Sequence, residues 1–189
     1  MSYRELKSYQ QSAIIYDFTV EFAEIHVDKA YKSNRSYKSY SRMADQMIQA
    51  ARSGKQNIVE GSSERTSEKN ELHLLGVARA SFQELIEDYE DFLRQRGPRL
   101  WLKDSPEASA LRALAYKSYS TYQSYLSDTE TAANTATCLI HQVNFLLDRQ
   151  IAAAEKDFIQ KGDYAEKLSY LRNEERKRQL VNSFWRRHQ

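Results

Sequence analysis

Two helical segments, Arg52-Ser-Gly-Lys-Gln-Asn-Ile-Val-Glu-Gly61 and Val77-Ala-Arg-Ala-Ser-Phe-Gln-Glu-Leu85, decide the fold that we predict for this chain. Both have apolar residues at helical spacing, yet each places charged, amide or glycine residues among them. Polar groups inside a helical protein are tolerated when they satisfy one another. We therefore predict that the two helices face each other across a polar seam. Its residues are Arg52, Asn57, Glu60, Arg79, Ser81 and Glu84.

The polar seam has a structural and a functional interpretation. In the structural one, Arg79 pairs with Glu60 or Glu84 and fixes the register of the two helices, as a single polar layer can. In the functional one, the same groups line a ligand or catalytic pocket, because perturbed ion pairs also mark active sites. The sequence favours the structural interpretation, since structural networks of this kind are common.

Composition limits the class of protein. The chain has 189 residues, which predicts one domain, or one domain with an extension. The single cysteine, Cys138, cannot form an internal disulfide, which fits a reducing compartment. The opening residues MSYRELKSYQQS lack an apolar signal-peptide core, and no run of about 20 apolar residues could span a membrane. We expect a soluble, cytoplasmic protein with no membrane partner.

Turn-forming residues are few, which favours long helices. Only five glycines and two prolines interrupt the chain, and the apolar spacing predicts an all-α protein. The predicted bundle covers residues 1–126, and residues 127–189 form a long C-terminal helix and a charged basic tail. A break at Ser127-Asp128 separates the fourth and fifth helices, which could also be one bent rod. The bundle helices are predicted at about 3–30, 42–61, 67–96 and 106–126.

Basic residues concentrate in a loop and in the tail. In the loop, basic residues that attract phosphate alternate with tyrosines that can stack on unpaired bases. In the tail, eight basic and four acidic residues give residues 161–189 a net charge of +4. The candidate nucleic-acid-binding residues are Lys32, Arg35, Tyr37, Lys38, Tyr40 and Arg42 in the loop, and Arg172, Arg176, Lys177, Arg178, Arg186 and Arg187 in the tail. The alternatives are an ordinary solvated loop, and a tail that is a frayed helix, binds an acidic protein, or packs through Leu180, Val181, Phe184 and Trp185.

No residue set predicts catalysis, a metal or a cofactor. A di-iron bundle requires Glu-x-x-His pairs, but the residue three positions before each histidine is never glutamate. Cys138 and His141 lie one helical turn apart, and two ligands alone make a weak zinc site. Gly54-Lys55 lacks the remaining residues of a phosphate-binding loop. We predict no enzyme activity and no small-molecule substrate.

Several motifs resemble a known family. Asn57-Ile-Val-Glu-Gly61 and Ala78-Arg-Ala-Ser81 resemble the two signatures of the four-helix-bundle proteins encoded in intervening sequences of 23S ribosomal RNA. Asp88-Tyr-Glu-Asp-Phe-Leu93 and Leu139-Ile-His-Gln-Val-Asn-Phe-Leu-Leu-Asp-Arg149 resemble the subgroup of that family that carries a suffix region. The resemblance covers most of residues 3–160.

The resemblance implies an up-and-down antiparallel four-helix bundle, here with a C-terminal helical extension, that assembles as a homo-oligomer, a pentamer in relatives. A related protein, the accessory variability determinant of diversity-generating retroelements, works beside a reverse transcriptase and binds nucleic acid through a basic surface. We therefore expect a non-catalytic homo-oligomeric adaptor that binds RNA, DNA or a nucleic-acid-processing enzyme. The alternative is a protein-binding scaffold that uses the acidic third helix or the tyrosines at 116, 119, 122 and 125.

Overall fold

The computed structural model describes residues 2–28, 37–63 and 67–187, and the side chains of 2–27, 42–63 and 67–183. These ranges contain helices and no β-strand, so the class is all-α. A π-helical turn, Ala23–Asp28, extends the first helix. None of the helices in these ranges is both long and apolar enough to cross a membrane. The helices are α1 (Lys7–Phe22), α2 (Tyr37–Ser63), α3 (Glu68–Arg96), α4 (Pro106–Ala113), α5 (Tyr119–Gln123), α6 (Thr129–Lys161) and α7 (Tyr164–Arg187).

Four long helices surround one hydrophobic core. α1 contacts α2 and α6, and α3 contacts the same two helices. At the centre, the ring of Phe22 lies edge to face with the rings of Tyr89 and Phe92, at 4.9 Å between centroids in both pairs. The hydroxyl of Tyr89 donates to Thr19 Oγ1 at 3.0 Å, and burial raises the pKa of Tyr89. The core therefore contains a protonated hydroxyl whose hydrogen bond is satisfied.

α2 and α3 approach closely because a glycine on α2 faces an aromatic ring on α3. A Cβ atom on Gly54 would lie 2.6 Å from the nearest ring atoms of Phe82, which is fully buried. Beside this contact, the hydroxyls of Ser53 and Ser81 lie 2.9 Å apart. Ser81 donates to the carbonyl of Val77 on its own helix, so Ser53 is the donor between the helices. Small residues therefore set the distance between these two helices.

The ends of α3 follow from the local sequence. The hydroxyl of Ser67 accepts a hydrogen bond from the amide of Asn70 at 3.1 Å and caps the first turn. At the other end, Gly97 has φ 89°, a left-handed conformation that glycine adopts without a steric penalty. The bounds of α3 differ by one residue from the predicted range 67–96.

Gly61 does not end α2, in contrast to the predicted helix 42–61. The helix runs from Tyr37 to Ser63, and Gly61 is buried inside it. A Cβ at this position would lie 3.3 Å from Leu74 Cβ and 3.4 Å from the carbonyl oxygen of Glu71 on α3. The position needs the small size of glycine, because α3 packs against it, rather than its conformational freedom.

The predicted helix 106–126 is broken in the structure. It consists of α4, an irregular turn, α5 and a 3-10 turn at Ser124–Ser127. Tyr116 has φ 64°, which no continuing α-helix allows. The hydroxyl of Tyr122 donates to the carbonyl of Leu114 at 2.6 Å and closes the turn. Tyrosines at every third position do not follow the α-helical period, and here they belong to short, tight turns.

The fourth long helix around the core is α6, so the predicted division at residue 126 cuts through the packed part of the chain. Residues 132–137, 139, 140, 143, 144 and 147 of α6 are buried. Beyond Lys161, Gly162 and Asp163 separate α6 from α7. The extension is therefore α7 rather than all of 127–189.

Gly54→Ala tests the close approach of α2 and α3. The added methyl would clash with Phe82 in a packed interior, so we expect the free energy of unfolding to fall by about 1–3 kcal/mol. Gly76→Ala is the matched control, because Gly76 is also helical but a Cβ there has no neighbour within 4 Å. That variant should gain about 0.5–1 kcal/mol from helix propensity alone. Urea denaturation followed by circular dichroism measures both, and equal gains in the two variants would contradict the packing described.

Candidate functional site

The structure describes only part of the predicted basic loop. Lys32 and Arg35 lie outside the described residues. Arg42 is an exposed residue of α2. For the other three residues the structure describes a helical backbone in the first turn of α2 but no side chain: Tyr37, Lys38 and Tyr40. The segment from residue 37 onward is therefore a helix, not the loop that the sequence predicts.

α7 is attached to the start of α3 through its first turn. The carboxylate of Glu68 accepts hydrogen bonds from the amide of Tyr164 at 2.8 Å and from Lys167 Nζ at 3.2 Å. In return, Asp163 Oδ1 accepts from the amide of Glu68 at 3.2 Å. The amide of Tyr164, followed by the other hydrogen bonds, lowers the pKa of Glu68 to about 2. The carboxylate is therefore ionised at neutral pH, and these bonds fix where α7 begins.

The rest of α7 presents its side chains to solvent. Every residue from 164 to 182 is exposed. Lys177 Nζ lies 2.8 Å from a carboxylate oxygen of Glu174. Arg172 and Arg176 form no ion pair within the described part of the chain. Arg178, also exposed, lies 4.0 Å from Glu175. The backbone of Arg186 and Arg187 belongs to α7, and their side chains are outside the description.

The predicted polar seam does not form an ionic layer between α2 and α3. Arg79 does not pair with Glu60 or Glu84, and the prediction is wrong on this point, because Arg79 instead forms an ion pair with Asp148 on α6. Glu60, Glu84 and Arg52 are exposed. These charged groups lie at the outer edges of their helices, where water solvates them.

Two seam residues do lie between the helices, but they make only short-range hydrogen bonds. Ser81 is buried and bonded to Ser53, as described above. Asn57 is partly buried, and its amide nitrogen donates to the carbonyl of Ser53 at 2.9 Å on its own helix. The contact between α2 and α3 is therefore a small-residue contact with one hydroxyl pair, and it contains no buried charge.

A buried polar junction that the sequence did not predict is centred on His26. Its Nε2 donates to the carbonyl of Leu126 at 2.8 Å, and its Nδ1 lies 3.0 Å from Thr129 Oγ1. The carbonyl of His26 accepts from Arg96 at 2.6 Å. A lone histidine carries no periodic signal, so only the fold shows that it joins the end of α1, the end of α3 and the start of α6.

A cavity of about 710 Å³ lies between α6, the end of α3 and the segment that leads into α4. Its walls are mainly apolar and include the side chains of Leu100, Trp101, Tyr116 and Phe145. Ligand pockets in proteins have volumes of about 300–1,000 Å³ and walls of this kind. The volume and lining are therefore those of a small-ligand site.

Asn134 on α6 fixes the cavity wall that residues 99–101 form. Its side-chain oxygen accepts from the amide of Trp101 at 2.7 Å, and its nitrogen donates to the carbonyl of Arg99 at 2.8 Å. Arg112 NH1 donates to the carbonyl of Lys103 at 2.6 Å, which ties α4 to the same segment. Because both sides are hydrogen-bonded, the cavity is formed without a ligand.

The titratable groups of the cavity do not form a nucleophilic centre. Burial raises the pKa of the Cys138 thiol, an effect that exceeds the opposing influence of Arg112. Desolvation lowers the pKa of His141, so this imidazole is neutral at pH 7. Across residues 2–28, 37–63 and 67–187, no group of three or more His, Cys, Asp or Glu side chains is placed to hold a metal ion. The cavity is thus chemically suited to binding.

The sequence contains a weak signal for this cavity. Leu100-Trp101-Leu102 follows the helix-ending Gly97-Pro98 and is an apolar run where a solvated loop would be expected. Leu102 is 79% exposed and Leu100 is 41% exposed. The run alone does not show that α6 provides the opposite wall, because the two are separated in sequence.

Comparison of the chain with protein-family models, with curated proteins and with solved structures finds no match. The resemblance to the intervening-sequence proteins therefore stays a prediction.

Arg79→Ala tests whether the one long-range ion pair of the predicted seam matters for stability. The side chains of Arg79 and Asp148 are 41% and 52% exposed, and exposed pairs contribute about 0–1 kcal/mol. We expect the variant to lose less than about 1 kcal/mol in urea denaturation, and Asp148→Ala to lose a similar amount. A loss above about 3 kcal/mol, the cost of breaking a buried pair, would instead support a buried ionic seam.

Asp88→Asn tests the acidic side of α3. Burial, followed by repulsion from Glu84 and Asp91, raises the pKa of Asp88 to about 6. The native state therefore holds this proton more tightly than the unfolded chain, whose pKa is 3.8, and stability falls as pH rises from 3.8 through 6.

Removal of the charge should raise the free energy of unfolding at pH 7.5 by roughly 1 kcal/mol, after a discount for partial exposure. The gain should shrink as the pH falls from 6 to 4. Asp45→Asn, at an exposed position on α2, is the control for loss of a surface carboxylate. A gain for Asp88→Asn that does not change with pH would contradict this assignment.

Proposed function

We propose that this protein is a non-catalytic, homo-oligomeric adaptor that binds nucleic acid, or an enzyme that acts on nucleic acid such as a reverse transcriptase, through the basic side chains of α7. In this proposal the ring of α1, α2, α3 and α6 is an up-and-down antiparallel bundle of the intervening-sequence type that acts in the cytoplasm. Short connections, such as residues 64–67 between α2 and α3, support that topology.

The exposure of α7 carries the proposal. A helix of 24 residues whose side chains are solvated from residue 164 to residue 182 gains little from tertiary packing, and tertiary packing is the usual source of helix stability. Hydrogen bonds to Glu68 anchor one end, so the remainder extends as a projecting element. Its excess of basic residues matches a phosphate backbone, which contributes most of the affinity in non-specific nucleic-acid binding.

Arg172 and Arg176 are the residues most available for phosphate. Both are exposed, and neither has an ion pair in the described ranges. Lys177 has Glu174 at 2.8 Å, so its charge is partly compensated before any partner arrives. Arginine also binds phosphate in a bidentate manner that lysine cannot reproduce. We therefore assign the main contacts to the two arginines.

A protein-binding scaffold is the second candidate, and the acidic side of α3 favours it. The carboxylates of Glu84, Asp88 and Asp91 repel one another enough to raise the pKa of Asp88. A basic partner surface would relieve that repulsion. The dependence of binding on α7 separates the two functions.

Arg172→Gln combined with Arg176→Gln tests the proposal. Each phosphate contact that is lost should reduce the slope of log affinity against log salt by about 1, so the double variant should lose about 2 in slope. Fluorescence anisotropy with a labelled single-stranded RNA between 50 and 200 mM salt measures this. Lys117→Gln combined with Lys156→Gln removes the same charge from two exposed positions outside α7.

The control variant should keep both the affinity and the slope of the unmodified chain. Equal losses in both double variants would show that net charge, not α7, governs binding. If the unmodified chain does not bind RNA or DNA at 50 mM salt, direct nucleic-acid binding is excluded, and the basic α7 would have to be tested against protein partners.

A further inference from the structure

We propose that the cavity between α6 and the segment 99–116 binds one nucleotide, with its heteroaromatic base against the aromatic wall and its phosphate toward Lys103 and Arg112. No catalysis accompanies this binding. The site is separate from α7, and it gives the chain a specific ligand in addition to a charged surface.

The walls fit a flat aromatic ring. Trp101 and Tyr116 come from the segment before and after α4, while Phe145 comes from α6. Tyr116 and Phe145 are 49% and 57% exposed, a high value for large apolar side chains. Stacking of a base on aromatic side chains contributes about 1–3 kcal/mol and tolerates any base. A planar ligand would cover this exposed aromatic area.

Gln142 identifies the polar edge of the ligand. Its side chain lines the cavity, and its amide nitrogen and oxygen are both buried with no hydrogen-bond partner in the described part of the chain. Because no hydrogen bond holds this amide, it can turn toward a ligand without breaking one. A carboxamide offers one donor and one acceptor side by side, and a nucleobase edge presents the complementary pair.

The charged groups at the cavity orient the rest of the ligand. Lys103 and Arg112 lie on the same side, since Arg112 donates to the carbonyl of Lys103. Glu90 is the only acidic residue of the lining. Its presence beside His141 is shown by its influence on that imidazole. Two cations therefore face one carboxylate, which favours an anionic substituent such as phosphate over a cationic one.

Other ligand classes fit less well. A purely apolar ligand would leave both polar atoms of Gln142 buried and unpaired, which is costly. A metal ion is disfavoured because Cys138 stays protonated and its neighbour His141 has no further ligands of the required type. The shared chemistry of base and phosphate is available from a free nucleotide or from an unpaired residue of a nucleic-acid strand.

Trp101 fluorescence tests the inference in the full-length chain. Trp185→Phe leaves Trp101 as the only tryptophan, and this background is titrated with AMP, GMP, CMP, UMP and an unpaired RNA 12-mer. We expect saturable quenching by at least one of these ligands. Ribose 5-phosphate, which has no base, should not quench, and adenosine should bind more weakly than AMP.

Gln142→Met gives the decisive comparison. It preserves the shape of the side chain and removes the amide, so nucleotide affinity should fall by about tenfold, the equivalent of one hydrogen-bonded pair. The melting temperature should be unchanged or higher, since the unpaired buried amide is gone. A glutamine with a purely structural role would give a lower melting temperature and unchanged affinity. Gln160→Met, at an exposed position on the same helix, is the control.

Lys103→Ala should weaken AMP severalfold and leave adenosine unchanged. Quenching by free nucleotides and by the strand places a nucleotide of either origin in the cavity, and quenching by the strand alone assigns the site to an unpaired residue. In that second form the inference rests on the proposed function. Absence of quenching by every ligand, or equal affinity in Gln142→Met, overturns it.

The two proposals fail separately. If Arg172→Gln with Arg176→Gln abolishes strand binding while AMP still quenches Trp101, the cavity inference holds independently of α7. If strand binding depends on α7 but neither ligand quenches Trp101, the proposed function stands and the cavity inference is wrong.

Discussion

The contact between Gly54 and Phe82 is the constraint on which the rest of the structure depends. It sets the distance between α2 and α3, because no side chain fits between the glycine backbone and the ring. α3 in turn lies against α6 and carries two of the rings of the central aromatic cluster, Tyr89 and Phe92. A well-packed interior resists small changes of volume, so the position of α3 is fixed along its whole length.

The fixed position of α3 places the two candidate binding surfaces at its opposite ends. Glu68, in its first turn, holds the start of α7. Beyond its last turn, Gly97 directs the chain into the segment that forms the cavity wall with Trp101. A helix of 29 residues is about 43 Å long. A charged surface and a small cavity that far apart can act on one extended ligand or on two separate ones.

The helix boundaries of α3 could be predicted from the sequence because they depend on local chemistry. Ser67 and Gly97 act within one turn of their own positions. The polar seam could not be predicted in the same way. The spacing of Arg79 gives its direction on α3 but not which helix lies opposite, and its partner is Asp148, 69 residues away. Gly61 likewise looks like a helix end until α3 is placed against it.

The sequence by itself determined the all-α class, the caps of α3 and the basic character of the C-terminal helix, since helical period, capping and charge are encoded in neighbouring residues. Only the tertiary structure decided that α6 completes the ring around the core and that Arg79 pairs across to it. It also decided that Asn134 fixes Trp101 beside Gln142 to form a cavity. These features join residues far apart in the chain, and the energy of packing them is a property of the assembled core that no local pattern contains.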